Sequence, residues 1–327
     1  MSDRSGIEWT DATWSPVRGC TPVSAGCANC YAARMAHRFS GPGKPYEGLT
    51  RDGKWTGEVR LIPELLDQPI RWRKPRRIFV CSMSDLFHEA VPRSLIVSVL
   101  HTAALCWAFE KGHTFQILTK RSKRMLELLN DHELEGEITC LDYDGVSASA
   151  PWPLPNVHLG VSAENQEMLD RRVPDLLATP AAVRFVSLEP LLGEIDTRTW
   201  LNGWCPACGS DGWEGRFPRR NEGTGKPAGS HYCPHCGSNL PNFPTVQRGD
   251  YIFNALHWVI VGPETGPGAR PCKIEWVRSI VEQCHNSDVP CFVKRVPGYS
   301  QDMATWPAWS QVREWPTTTS RTGEKTR

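Results

Sequence analysis

A chain of 327 residues with 40% hydrophobic and 22% charged residues has room for one large domain with a small addition, and its composition excludes a long disordered region or a coiled coil. The formal net charge of +1 leaves no whole-molecule field to gather a polyanion, so any nucleic-acid contact has to come from a local patch. Met1-Ser2-Asp3-Arg4 lacks the apolar core of a signal peptide, and no apolar run approaches the ~20 residues of a membrane span, so a cytoplasmic protein without membrane contact is expected. In such a reducing compartment thirteen cysteines read as metal ligands and core thiols rather than disulfides, and seven of them fall into two tight groups.

In chain order, a short strand is expected ahead of Cys20. Cys20 to Cys30 then read CTPVSAGCANC, a C-x6-C-x2-C arrangement followed by a predicted helix over Tyr31 to Phe39. Three thiolates on one loop can hold three corners of a cubane cluster and leave the fourth iron open. The competing account is a zinc site completed by a distant ligand such as His37 or His88. A redox C-x-x-C lacks its usual surroundings and leaves the third cysteine unexplained.

Arg71-Trp72-Arg73-Lys74-Pro75-Arg76-Arg77 places five charges around one indole, which suits a nucleic-acid backbone with a stacked base and equally an ordinary loop entering a strand. From there short apolar runs recur: Arg77 to Cys81, Thr114 to Leu118, Val157 to Val161, Val183 to Leu188, His257 to Val261 and Pro290 to Val293. They read as buried parallel strands. Between them lie segments with helical spacing, marked by Leu95, Val99 and Ala103, by Ser122 to Asn130 with Ser122 as N-cap, by Asn165 to Ala178 interrupted at Pro174, and by Ile274, Val277, Val281 and Cys284. Six or seven β/α units result, for which an α/β fold closing as a (β/α) barrel or partial barrel is the economical solution.

Polar residues follow most of the runs: Ser82, Ser84 and Asp85; Lys120 and Arg121; Glu164; Glu189; Glu264; Lys294 and Arg295. In a β/α barrel the C-terminal strand ends line the active face, so these groups would converge, although caps and turns use the same residue types. Residues 133–156 read as a long, proline-rich connection, a lid or a loop, with Cys140 in it. The regularity breaks at 201–250, an insertion. The domains are therefore a barrel over 1–200 and 251–305, the insertion, and a frayed C-terminal tail over 306–327.

The insertion carries Cys205-Pro-Ala-Cys208 and Cys233-Pro-His-Cys236, each followed by glycine and separated by 24 residues. Four thiolates in this pattern point to a structural zinc ribbon, with a second iron–sulfur cluster as the alternative. Arg216, Arg219, Arg220 and Lys226 between the knuckles suit phosphate contacts or a solvated loop.

Taken together, IEWTDATWSPVRGCTPVSAGCANCYAARM, SMSDLFH, ILTKRSKRM, LGVSAENQ, SLEPLLG and VIVGPETGPGARP resemble the phage-type three-cysteine-motif proteins, a family similar to radical S-adenosylmethionine (SAM) enzymes, over about residues 6 to 295 apart from the insertion. The resemblance implies a 4Fe-4S cluster on Cys20, Cys27 and Cys30 and SAM at the open iron, with Ser82, Ser84 and Asp85 near the methionine amino end, Lys120 at its carboxylate and Glu164 or Glu189 at the ribose. It also implies an electron donor such as a flavodoxin or ferredoxin, and a nucleic acid, nucleotide or protein substrate. The sequence departs from the usual C-x3-C-x2-C loop, has Asn29 where an aromatic packs on adenine, and has Pro263 where glycine is expected. Two other readings stand beside it: a non-catalytic nucleic-acid-binding protein with zinc at both cysteine groups, and a metal-dependent barrel hydrolase using Asp85, Glu164 and Glu189.

Overall fold

The computed structural model describes residues 5–143, 146–201 and 256–316 together with two short C-terminal strands, Thr318–Thr319 and Lys325–Thr326. The cysteine knuckles of the insertion, Cys205, Cys208, Cys233 and Cys236, lie outside the described residues.

Seven parallel strands form the central sheet, ordered along the sheet as along the chain: β1 (Ala12–Trp14), β2 (Arg77–Val80), β3 (Thr114–Thr119), β4 (Val157–Ser162), β5 (Val183–Leu188), β6 (Trp258–Val261) and β7 (Cys291–Val293). Every predicted run becomes a strand, because Val, Ile, Phe and Leu dominate these runs and both faces of the sheet are covered. Among the described residues β1 pairs only with β2, and β7 pairs with no sheet strand except β6, so the sheet is a half-barrel rather than a closed ring.

Among the described residues six helices of seven residues or more follow the strands or connect them, with a shorter one at Gln68–Arg71: α1 (Tyr31–His37), α2 (Arg93–Ala108), α3 (Ser122–Leu129), α4 (His132–Thr139), α5 (Gln166–Ala178) and α6 (Ile274–Asn286). Three expectations are corrected here. Ser122 is the first residue of α3, not its cap, and donates its hydroxyl to Asp175 at 2.6 Å. Pro174 does not interrupt α5, which runs through it. Within 133–156 the chain forms α4 and the hairpin Cys140–Tyr143/Val146–Ser149, with Tyr143 against Phe109 at the C-terminal end of α2. Since α2 runs back along the sheet, this hairpin and Cys140 sit toward the strands' N-terminal ends.

Side chains alternate between two cores, as the strand period requires. Ile78, Val80, Phe115, Ile117, Leu159, Val161, Val186, Leu188, Val259 and Val261 face the helices, whereas Phe79, Phe185, Trp258, Ile260 and Phe292 gather on the concave face with Trp9. Gly160 is required there: a Cβ would stand 2.5 Å from the Phe185 ring, so only hydrogen lets that ring lie across β4.

The tail from Trp306 is not frayed as far as 316. Val293 donates to Val312 O at 2.9 Å and Glu314 donates to Cys291 O at 2.9 Å, which adds the segment as an antiparallel edge on β7. Trp258 Nε1 donates to Glu314 O at 2.8 Å and Trp315 Nε1 to Trp9 O at 3.2 Å. The segment thus bridges β7 to the residues preceding β1. Its indoles and the short run of backbone bonds, not a hydrophobic period, tie it down.

Candidate metal centre

All seven strands point their C-terminal ends the same way, and the three-cysteine loop lies at that edge. After β1 the chain pairs Val17–Arg18 with Arg60–Leu61 and turns at Gly19, whose φ of +90° and whose Cβ position, 2.1 Å from Glu58 O, exclude a side chain. Ser84 donates its hydroxyl to Val17 O at 2.8 Å and thereby ties the β2 end to the start of the loop. Cys20 follows, then a 3-10 turn over Ala25–Cys27, and Cys30 at the N-cap of α1. All three thiols are half-buried and none is in a disulfide.

Three polar clamps hold this loop. In the first, Arg121, at the end of β3, donates to Asp85 Oδ2 at 3.1 Å, to Glu89 Oε2 at 2.9 Å, to Thr21 O at 3.1 Å and to Thr21 Oγ1 at 2.8 Å, and its Nη1 lies 3.8 Å from Cys20 Sγ. Asp85 also accepts from Phe87 N, Thr119 Oγ1 and Lys120 N. Burial pushes the Cys20 thiol up to about 11, with the Asp85 charge adding to the rise and Arg121 opposing it.

In the second clamp Glu164, fully buried after β4, accepts from Gly26 N at 2.8 Å and from Arg172 Nη1 at 3.1 Å. A Cβ on Gly26 would come within 2.9 Å of the Glu164 carboxyl carbon, so glycine permits the close approach. In the third, Asn29 Nδ2 donates to Glu264 Oε2 and to Gly268 O, both at 2.9 Å. Arg270 pairs with Glu264 at 2.6 Å and reaches Ala25 O at 2.9 Å, while Arg34 donates to Thr265 O and Pro267 O. The Arg270 hydrogen bond, aided by Asn29, holds the Glu264 carboxyl at about 2.

The predicted strand-end residues therefore divide. Ser84, Asp85 and Glu164 are engaged in holding the loop. Ser82, Lys120, Glu189 and Lys294 remain on the rim: the Ser82 carbonyl accepts from Tyr31 OH at 3.0 Å, Lys294 Nζ stands 3.1 Å from Glu189 Oε1, and the Lys120 ammonium has no hydrogen-bond partner among the described residues. Gly262 lies between the last pair, where a Cβ would meet Glu189 Oε1 at 2.7 Å. Of the histidines proposed as a fourth ligand, His88 has both ring nitrogens engaged, Nε2 with Thr21 Oγ1 at 2.9 Å and Nδ1 accepting from Ala90 N, while His37 is engaged through Nδ1 with Thr50 Oγ1. Among the described residues no three His, Cys, Asp or Glu side chains converge closely enough to hold an ion.

Sequence reasoning did not single out Arg172, Arg270 or Arg34 as functional, and it placed Arg121 only among the strand-end groups expected to converge. Only Arg121 left a signal, as a charge directly after a strand run. Asn29 is a clamp residue, and Pro263 sits in the loop whose other members make the polar contacts.

Part of the basic stretch before β2 is engaged in packing. Trp72, half-buried, packs against the helix-side core with His113 and Arg76, and Arg77 pairs with Asp11 at 2.9 Å beneath the Trp315 ring, while Arg71, Arg73 and Lys74 are exposed. No helix among the described residues is long and apolar enough to cross a membrane.

Searches of the curated proteins and of the solved structures found no match. The family described as "protein of unknown function" (DUF5131) matches residues 4–325, nearly the whole length, and the chain belongs to that family.

Proposed function

We propose that this chain is a radical SAM-type enzyme in which Cys20, Cys27 and Cys30 hold a 4Fe-4S cluster and the rim around them binds SAM. The observation that carries the reading is three free thiols on one loop, clamped at the C-terminal edge of a parallel half-barrel whose strands follow chain order. The donor set fits by type, since thiolates are the ligands of iron–sulfur clusters. Their place on one loop at the C-terminal edge of the strands supports the reading, and holding a cluster would require the three thiols, which do not converge in this structure, to come together.

A cluster there would supply the electron that cleaves SAM to methionine and a 5′-deoxyadenosyl radical. The chain's own part is binding and shielding. Lys120, whose ammonium has no hydrogen-bond partner among the described residues, suits the SAM carboxylate, the Ser82 hydroxyl suits the amino group, and Glu189 suits the ribose hydroxyls. Asp85, Ser84 and Glu164 support the loop beneath. The aromatic floor of the concave face closes the opposite side to water, which a radical reaction needs. An electron donor such as a flavodoxin or ferredoxin, and a zinc ribbon on Cys205, Cys208, Cys233 and Cys236 that helps to select a nucleic-acid, nucleotide or protein substrate in the cytoplasm, complete the proposal. The hydrolase alternative is disfavoured because Asp85 and Glu164 are each locked to a buried arginine.

The test is anaerobic purification with iron, sulfide and zinc analysis, followed by SAM and a strong reductant. The proposal expects iron and sulfide in equal amounts, a brown protein, and 5′-deoxyadenosine that disappears in Cys27→Ala. Zinc at both cysteine groups, no colour and no 5′-deoxyadenosine would instead establish the non-catalytic zinc protein.

A further inference from the structure

We infer that Arg121 is a positioning residue that sets the redox poise of the metal centre, by fixing Cys20 and by placing a buried cation beside its sulfur. The inference rests on the reading of Cys20 as a cluster ligand, and it concerns a residue to which that reading gives no part in holding SAM or substrate.

The geometry of Arg121 is fully determined. A guanidinium has five N–H groups, and here they meet five acceptors: Glu89 Oε2 from Nε, Asp85 Oδ2 and Cys20 Sγ from Nη1, and Thr21 O and Thr21 Oγ1 from Nη2. The side chain is 4% exposed, so the charge acts through protein rather than water. Cys20 alone has such a neighbour: among the described residues no cationic side chain donates to the sulfur of Cys27 or Cys30. The site is asymmetric, with the cation bound to the cysteine at the far side of the six-residue gap.

Reduction adds negative charge to the thiolate-bound centre. A fixed cation and an N–H···S contact both stabilise the more negative state, and hydrogen bonds to sulfur together with local charge are what tune iron–sulfur potentials. Arg121 therefore raises the potential. Two carboxylates moderate the effect unequally. Asp85 is 7% exposed and inseparable from the clamp, whereas Glu89 is 67% exposed and can be neutralised without opening the interior.

The experiment measures iron and sulfide content and the cluster's midpoint potential, by redox titration of its spectrum, in the full-length reconstituted protein, Arg121→Met, Arg121→Lys and Glu89→Gln. The expected result is opposite signs. Arg121→Met moves the midpoint negative by at least a tenfold change in the reduction equilibrium, 59 mV for one electron, Arg121→Lys recovers part of it, and Glu89→Gln moves it positive by less. A wild-type protein without iron and sulfide would sink the cluster reading itself. Wild type with a cluster whose potential is the same in Arg121→Met, or that shifts negative in Glu89→Gln, would overturn the role of Arg121 alone. If Arg121→Met does not fold, the sign of the Glu89→Gln shift decides.

Discussion

On the concave face Trp9 meets Phe79 at 4.6 Å and Trp258 at 6.0 Å, Phe185 meets Trp258 at 5.4 Å, and Phe292 meets Trp315 at 5.1 Å. At the C-terminal edge of the same strands, the neighbours are instead Arg121 with Asp85, Arg172 with Glu164, and Arg270 with Glu264. The aromatic floor is stabilised by area removed from water, which is non-directional and tolerant of small shifts. The polar rim is stabilised by charges and hydrogen bonds that fix direction but require every partner. Under the proposed cluster, the loop would present three thiols at defined places and needs the second kind of support. The rest of the half-barrel needs only the first.

The contrast breaks most visibly where one group is removed from each region. Trp258→Ala empties a fully buried site and is expected to cost about 3–5 kcal/mol in denaturant unfolding, while leaving the metal content of surviving folded protein unchanged. Glu164→Gln is expected to cost a similar amount, about 3–5 kcal/mol, for a different reason: Arg172 stays 4% exposed with no counter-charge. It differs from the floor variant in its second effect, since Gly26 N loses an ionised acceptor and the cysteine loop is loosened, which under the proposed cluster also lowers the iron content. If Glu164→Gln unfolds no more easily than wild type, the rim is not held by its buried pairs.

These two regions were unequally legible in the sequence. Strand runs such as Val157–Ser162 and Val183–Leu188 announce themselves because burial on both faces demands continuous apolar residues. The cysteine spacing is local, so its position at a strand end followed directly. Asp85 and Glu164 could be placed at strand ends, but not assigned to the loop, since their partners Arg121, Arg172 and Gly26 are 36, 8 and 138 residues away and no spacing rule links an acid to a base across a fold. The ordering of 306–316 was hidden for the same reason: edge addition to β7 and indole contacts with Trp9 leave no period to read. Proline in α5 misled because burial of Val173, Leu176 and Leu177 on the helix outweighs the hydrogen bond lost at Pro174.

The floor has polar flaws that sharpen the comparison. Among the described residues His158, on the concave face of β4 opposite Gln116, has no hydrogen-bond partner for either ring nitrogen, Gln116 Oε1 beside it is unpaired as well, and burial pushes the His158 pKa down to about 3. The unfolded chain takes a proton near 6.5 that the folded protein refuses. Stability contributed by neutral His158 is therefore complete above pH 6.5 and falls toward pH 3, at a limiting slope of about 1.4 kcal/mol per pH unit. His158→Leu is expected to flatten that slope and to be at least as stable at pH 7, as removing unpaired polar atoms should make it. An unchanged pH profile from unfolding titrations would mean that another group sets acid sensitivity.

The rim responds to acid later and more weakly, through Glu264. Its carboxyl titrates at about 2 in the folded protein against an ordinary 4.5, so the unfolded chain is protonated first and the stabilisation from the Asn29–Glu264–Arg270 clamp, present above 4.5, fades only as pH falls toward 2. Arg270 is 32% exposed, and water screens part of the pair, so Glu264→Gln is expected to cost roughly 1 kcal/mol at pH 7. The loss belongs to the loop more than to the fold, because Glu264 ties Asn29 and Arg270 ties Ala25, one on each side of Cys27. Amide exchange read residue by residue separates the cases: faster exchange confined to the loop at pH 7, with the difference from wild type shrinking below pH 4.5, fits a local clamp. Uniformly faster exchange across β4 and β5 would mean that the third clamp supports the half-barrel itself, and the division between an area-held floor and a charge-held rim would then fail at this point.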